Sequence, residues 1–450
     1  MMISGSRVGL VLAVWLYALA LHVAHVEYLN PAWEYYGFTY QAPGLLEVSL
    51  MAIFVTTIAM ILPLQMLNAS STILLLLFIV VYVPTIIITL GLAVDSVEHY
   101  GLNLSMLCLI FAIACIATRS AKKQEIIPQL PSNTLGKVFL WVWLCLSVVL
   151  VYIYAPIMKM AGLDEIYEQR AIGASENILV GYIQTYFSNV LSPALIALGL
   201  IRRKYWFILI GVIGCVIIYM ITAQRTVFLL PFAMIGFYCF LTSKISFLQT
   251  NSFLILILSV VVMFCSLFYL DNNVASFLST YLVFRTLALP GLTFSQYSDV
   301  FSTHGFTLWS HVKGFNIIIA SPGFFENHAS WPGLGYIVGD IVYNNTENNV
   351  NANLFSSDGI AAAGSVGVLA IGVIFTVWLI FFNHVTRTWN QMFVILVTLP
   401  LAISLTNGPF FTMLWSFGGI FWLIIFHICK SIVKKAEKNS CQIKPSNRET

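Results

Sequence analysis

The chain has 450 residues, 59% of them hydrophobic and only 9% charged, with a mean hydropathy of +0.90. A soluble domain carries about a quarter charged residues, so this chain lacks the polar surface to cover a water-soluble globule. The formal charge of +3 identifies no partner by itself, and no nucleic-acid partner is expected. What remains is an all-α polytopic membrane protein.

Apolar runs of membrane-spanning length recur along the chain. Twelve spans are predicted, at roughly 8–26, 44–62, 71–93, 101–118, 137–155, 179–201, 205–221, 226–243, 251–270, 360–383, 390–406 and 410–429. The first reads as a retained membrane helix and not a cleaved signal peptide, because no small-residue cleavage site followed by a soluble domain appears. Seven of the eight cysteines fall in apolar spans and Cys441 lies in the tail, so no structural disulfide is expected. The chain divides into residues 1–270 with nine spans, a large loop at 271–359, three spans in 360–429 and a basic tail at 430–450.

Basic residues near span ends stay in the cytoplasm. With the N-terminus inside, Arg7, Arg119, Lys122, Lys123, Lys137, Arg202, Arg203, Lys204, Lys244, Arg387 and six tail residues lie inside. That places sixteen of the twenty-one on one side and leaves Lys159, Arg170, Arg225, Arg285 and Lys313 outside. Of the acidic residues only Glu125, Glu437 and Glu449 fall inside. Both termini are therefore expected in the cytoplasm. The tail, with Lys430, Lys434, Lys435 and Lys438, reads as a solvated anchor.

The segment from Asp271 to Asp358 is long for a structureless connection, yet "SFLSTYLVFRTLALPG" and "WPGLGYIVGDIVY" are half apolar. Short helices on the membrane surface, or dipping into the outer mouth of the bundle, are expected there. A second outer loop, from Pro156 to Asn177, carries the adjacent acids Asp164 and Glu165. No internal repeat is visible.

Charge inside the spans is nearly absent. Glu47 sits near a span end and reads as interfacial, and the lack of midplane acids argues against an ion-driven pump. Arg225, in "ITAQRTVFLLP", stands on the outer side against the basic trend. It is either a snorkelling anchor or a clamp for phosphate oxygens, which a guanidinium grips with a bidentate fork. Arg285, in "YLVFRTLALPG", would share a helix face with Tyr281 and needs an anionic partner in so apolar a stretch. His304 and His311 are seven apart, so a helix would place both on one face; His328 is a third candidate. Each is a possible general base, although a lone His is more often a hydrogen-bonded surface residue. No His or Cys spacing suggests a metal site; the adjacent acids Asp164 and Glu165 are a weaker alternative for one, and no metal is expected.

The stretch "NNVNANLFSSDGIAAAGSVG" offers Asn351 and Asn353 as amide donors and acceptors, Asp358 as a carboxylate, and Gly359, Gly364 and Gly367 for close packing. The ordinary reading is a helix start capped by Ser357 or Asp358. That leaves the doubled Asn unexplained, and such amides suit the fringe of a sugar site. Trp309, Trp331 and Tyr336 could stack on sugar rings or belong to an interfacial aromatic belt.

These features together resemble the Wzy-type O-antigen polymerases, the oligosaccharide repeat-unit polymerases of Gram-negative bacteria. The likeness lies in a dozen spans, cytoplasmic ends and one dominant periplasmic loop. Locally it lies in the "TAQR" turn at Arg225, in "RTLALPG" and "QYSDVF" from Arg285 onward, and in "NANLFSSDGIAAAG" from Asn351 to Gly364. The Arg-rich motif that some members repeat in two loops is not evident. The resemblance implies a fold like the lipid-dependent membrane glycosyltransferases and an inner-membrane location. It also implies substrates carried on undecaprenyl pyrophosphate, no cofactor, and a chain-length regulator as a plausible partner. In such an enzyme Arg225 and Arg285 would bind the pyrophosphates of donor and acceptor. Asp358 or His304 would take the proton from the attacking hydroxyl, with Asn351, Asn353 and His311 lining the substrate. The alternatives are an O-antigen ligase and a lipid-linked oligosaccharide flippase; a flippase would need polar or charged residues along a central cavity, and this chain has almost none.

Overall fold

The computed structural model describes residues 2–119, 131–162, 165–174, 177–246, 249–320 and 322–429. The tail at 430–450, Lys122, Lys123, Glu125 and Asp164 lie outside the described residues. In chain order the principal helices are α1 (Arg7–Tyr36), α2 (Leu45–Ile61), α3 (Ala69–Thr89), α4 (Ser96–Ala117) and α5 (Asn133–Tyr154). They continue with α6 (Ile166–Gly173), α7 (Ile178–Arg202), α8 (Tyr205–Thr222), α9 (Arg225–Thr242), α10 (Asn251–Phe268) and α11 (Asn273–His304). The last five are α12 (Leu334–Tyr343), α13 (Phe355–Thr386), α14 (Gln391–Leu405), α15 (Phe410–Ser416) and α16 (Gly419–Cys429). No strand occurs among the described residues.

Ten of these helices are long and apolar enough to cross a membrane, and α15 with α16, bent by 49° at a short break, makes an eleventh. The count of twelve is altered at particular places. α2 and α14 are shorter apolar helices, of 17 and 15 residues. The expectation of only short helices in 271–359 is corrected by α11, a continuous run of 32 residues. Its C-terminal half reads as polar, but those groups find partners on neighbouring helices. Asn103 Nδ2 donates to Ser298 Oγ at 3.0 Å, Tyr100 OH to Asp299 Oδ2 at 2.9 Å, and Thr89 Oγ1 to the Gly291 carbonyl at 3.0 Å. A polar residue in an apolar bundle is tolerated when its hydrogen bonds are made.

Five helical stretches have the wider π register among the described residues: His25–Leu29, Phe78–Tyr82, Phe187–Leu191, Ser279–Ala288 and Phe355–Ile360. Four have a common cause in the sequence, since each is followed two residues on by proline, at Pro31, Pro84, Pro193 and Pro290. Proline lacks an N–H and its ring collides with the carbonyl four residues back, so the ladder shifts register to keep going. The fifth has no proline after it.

The chain forms two compact units. Unit 1 comprises Met1–Ala121, Phe240–Ile380 and Ala402–Met413; unit 2 comprises Lys122–Cys239, Phe381–Leu401 and Leu414–Thr450. In unit 1, α1 packs along α10, and α3 is buried along its length with α11 lying against it. Arginine does structural work at one end of α2. Arg7 Nη1 donates to the carbonyls of Ala59 and Leu62, at 3.3 and 2.5 Å, and Arg119 Nη2 to that of Ile61 at 3.0 Å. These carbonyls have no partner in their own helix, and positive charge there complements the helix dipole.

In unit 2, α7 and α8 form an antiparallel hairpin, and Trp143 Nε1 on α5 donates to Ser192 Oγ at 3.1 Å. The loop after α5 is tied to the end of α8 through Gln169, which is 1% exposed. Its Nε2 donates to the carbonyls of Ile157, Met220 and Ile221 at 2.9, 2.9 and 3.2 Å. Tyr219 OH adds a bond to the Ala161 carbonyl at 3.0 Å. The Lys159–Glu165 ion pair, at 3.5 Å with both side chains well exposed, adds little. Gln169→Leu is expected to destabilise the protein by about 2 kcal/mol, because buried carbonyls lose their donor. The measurement is thermal unfolding in detergent followed by size exclusion; an unchanged midpoint would show that the clamp is dispensable.

Candidate functional site

The stretch that joins α11 to α13 builds the site within unit 1. α11 ends at His304, and Gly305 turns the chain out of the helix at φ +94°. Thr307 and Leu308 then run beside the start of α13, where the helix is broken. Ala363 has φ −159° and ψ 33°, and Gly364 has φ 59° and ψ −137°. A break orphans the carbonyls of the preceding turn. Here Thr307 N–H donates to the Ala361 carbonyl at 2.8 Å and Leu308 N–H to that of Ala362 at 2.9 Å. Leu308 and Trp309 both take left-handed conformations, at φ 49° and 63°, a conformation that non-glycine residues adopt only when the surroundings impose it.

The outcome is a buried pair. His311 Nε2 lies 3.4 Å from Asp358 Oδ1, with the two side chains 6% and 0% exposed. Asp358 Oδ2 accepts from the backbone N–H of Phe411 at 3.3 Å. His311 Nδ1 lies 2.8 Å from Thr307 Oγ1, which is itself 3.0 Å from the Ala361 carbonyl. Tyr297 on α11 lies within electrostatic reach of Asp358, and its OH donates to the Val350 carbonyl at 3.0 Å. Asp358 sits on the π stretch Phe355–Ile360, the one that no proline explains; unforced π turns cluster at functional sites.

Small residues let the two halves of α13 fold against each other. A Cβ on Gly367 would stand 2.0 Å from the Gly359 carbonyl oxygen, and one on Gly364 would stand 3.0 Å from the Phe306 ring. The close packing anticipated at these glycines is therefore present. The capping role anticipated for Asp358 is not. Asn353 does that work, its Oδ1 accepting from the N–H groups of Phe355 and Ser356 at 2.9 and 3.3 Å. Three buried polar atoms along this stretch have no hydrogen-bond partner among the described residues: Asn353 Nδ2, Ser356 Oγ and Trp309 Nε1. Buried groups are normally paired, and these three stand out as exceptions, closed off from the surface.

The other expected residues lie as follows. His304 and His311 do not share a helix face, because the helix ends between them. His304 Nδ1 contacts the Val300 carbonyl at 3.1 Å and its ring lies 4.4 Å from that of Phe324; among the described residues no bond joins it to Asp358. His328 is a satisfied histidine. Its Nδ1 accepts from Ser330 N–H at 3.2 Å, which places the proton on Nε2, 3.1 Å from Asp340 Oδ2. Asn351 is exposed. Trp331 stacks near Phe325 at 6.0 Å, and Tyr336 is 40% exposed. Arg285 is exposed on the π stretch leading into α11. It precedes Tyr297 by twelve residues, about 18 Å along the helix axis, so α11 does not bring it to the pair. Arg225 opens α9 in unit 2, after Ala223 turns the chain at φ 49°. Glu47 lies in the first turn of α2, where a carboxylate suits the helix dipole. Glu165 is in the ion pair already described.

Two members of the site escaped sequence reasoning. Thr307 and Phe411 carry no motif, and Phe411 contributes through its backbone. No group of three or more His, Cys, Asp or Glu that could hold a metal occurs among the described residues. The many long apolar helices define a multi-pass membrane protein of the all-α class. No family model, curated protein or solved structure matches the chain.

Proposed function

We propose that the chain is a membrane-embedded glycosyltransferase that polymerises oligosaccharide repeats carried on undecaprenyl pyrophosphate, an O-antigen polymerase of the Wzy type. It acts at the periplasmic face of a bacterial inner membrane, with both termini in the cytoplasm. The observation that carries this reading is the buried His311–Asp358 pair at a helix break inside an apolar bundle. A carboxylate and an imidazole in a site with little water serve as a proton acceptor.

The acceptor hydroxyl oxygen attacks the anomeric carbon of the growing chain. As that C–O bond forms, the bond to pyrophosphate breaks and its electron pair leaves with the phosphate. The hydroxyl proton passes to the His311–Asp358 pair; His311 is the member that reaches the surface, at 6% against 0% exposure. Asn351, which is exposed, orients sugar hydroxyls. Arg285 is too far along α11 to meet the departing group, and it suits the pyrophosphate of the acceptor, which lies several sugar rings from the attacking hydroxyl. Arg225, at the start of α9, is a second candidate pyrophosphate ligand.

The test is a gel of surface lipopolysaccharide from the host with and without the gene. Collapse of a ladder to core plus a single repeat supports polymerisation. Loss of even the single repeat would point to a flippase or ligase, and polymer stranded on the lipid carrier would single out the ligase. Arg285→Ala is expected to raise KM for the lipid-linked acceptor roughly tenfold with kcat little changed, the signature of lost substrate binding. A fall in kcat at constant KM would remove that assignment.

A further inference from the structure

The Thr307 hydroxyl stands between two partners, 2.8 Å from His311 Nδ1 and 3.0 Å from the Ala361 carbonyl oxygen. It has one proton and can donate to only one of them. The Ala361 carbonyl also receives the Thr307 N–H at 2.8 Å, so it stays hydrogen-bonded whichever way the hydroxyl turns. Two complete networks follow. With a neutral ring, Thr307 donates to Nδ1 and Nε2–H faces Asp358. With a proton on both nitrogens, Nδ1–H donates to Oγ1, the hydroxyl turns to Ala361, and Nε2–H still faces Asp358. Every group is satisfied in both.

We propose that Thr307 is a positioning residue whose hydroxyl, by turning between His311 and the Ala361 carbonyl, lets the buried imidazole gain and lose a proton without losing a hydrogen bond. A backbone carbonyl in its place could serve only the protonated ring, and a backbone amide only the neutral one. The chain holds this hydroxyl rigidly. Thr307 is fully buried, Gly305 turns the chain into it, and the left-handed pair Leu308 and Trp309 turns it away, closed by a bond from Ser310 N to the Thr307 carbonyl at 2.9 Å. This deepens the reading of the His311–Asp358 pair as proton acceptor and rests on it.

The experiment uses the full chain in lipid nanodiscs with 15N-labelled histidine rings, the His311 signals being assigned by their loss in His311→Gln. Ring shifts report the protonation of each nitrogen across pH. The titratable group that faces the ring is Asp358 on α13; Tyr297 on α11 is within electrostatic reach of that carboxylate, and Lys313 follows His311 by two residues in the chain. Thr307→Val removes a hydrogen bond from both forms of the ring, and the one lost from the charged form is the stronger, so the His311 midpoint is expected to fall by about one pH unit, a tenfold loss of proton affinity. Thr307→Ser keeps the hydroxyl and should titrate like the parent. If valine at this position prevents accumulation in the membrane, Thr307→Ala makes the same test. A valine or alanine variant titrating with the parent, or a serine variant shifted as far as valine, would overturn the proposal. Titration needs no turnover, so it is separable from the underlying reading, which fails instead if His311→Gln still extends chains.

Discussion

Asp358→Asn is expected to lower chain extension by 10²- to 10⁴-fold, the usual contribution of a general base, with normal amounts of protein in the membrane. The substitution keeps shape and can keep an acceptor for the Phe411 N–H, so packing is preserved while charge and basicity are lost. His311→Gln should fall in the same range. The double variant should be no worse than the poorer single one, because residues that act as a unit are not additive. The measurement is chain extension with lipid-linked repeats in membranes, beside an immunoblot for protein level. Asp358→Asn retaining activity within a few-fold of the parent would remove the pair from the mechanism. Additive losses would mean that the two residues act independently.

Gly367→Ala is expected to have the largest effect on folding. The added Cβ would lie 2.0 Å from the Gly359 carbonyl oxygen, and that atom is backbone, unable to swing aside as a flexible side chain would. Separating the two halves of α13 would also pull Ala361 and Ala362 from Thr307 and Leu308. Overpacking of this kind costs on the order of 3 kcal/mol, a large part of the roughly 5–15 kcal/mol that keeps a protein folded. Gly236→Ala is the control: nothing lies within 4 Å of its would-be Cβ, and a helical Gly→Ala change gains up to about 1 kcal/mol. Recovery of monodisperse protein in detergent after graded heating measures both. Equal stability of the two variants would show that α13 can open without penalty.

Much of the architecture was legible because hydrophobicity is a local property summed over a window. Most of the predicted spans correspond to helices, since about twenty apolar residues in a row have few other outcomes. The exception, α11, shows the limit of that reasoning. That stretch carries Pro290, Gln296, Ser298 and Asp299, which interrupt an apolar run, yet the π register absorbs the proline and α4 supplies partners for Ser298 and Asp299. Those partners are nearly two hundred residues away in the chain, and no window reaches them.

The site was legible in its residue types and not in their pairing. Asp358, His311 and Asn353 all stood out in the sequence as rare polar groups in an apolar setting. Which His would meet the carboxylate depended on where α11 stops. Periodicity put His304 and His311 on one face; Gly305, at φ +94°, ended the helix between them and sent only His311 toward Asp358. The cap expected at Ser357 or Asp358 falls to Asn353 instead, because the helix begins earlier than its apparent capping sequence.

By itself, then, the sequence determined that this chain is helical and membrane-spanning, and which few polar side chains could bear chemistry. Both follow from composition and from spacing along one strand of covalent structure. Only the tertiary structure decided that a threonine, a histidine, an aspartate and a backbone amide from three separate segments meet around a broken helix. The reason is physical: a buried polar group needs partners within about 3 Å, and partners in space are set by how helices end, kink and pack, not by their distance along the chain.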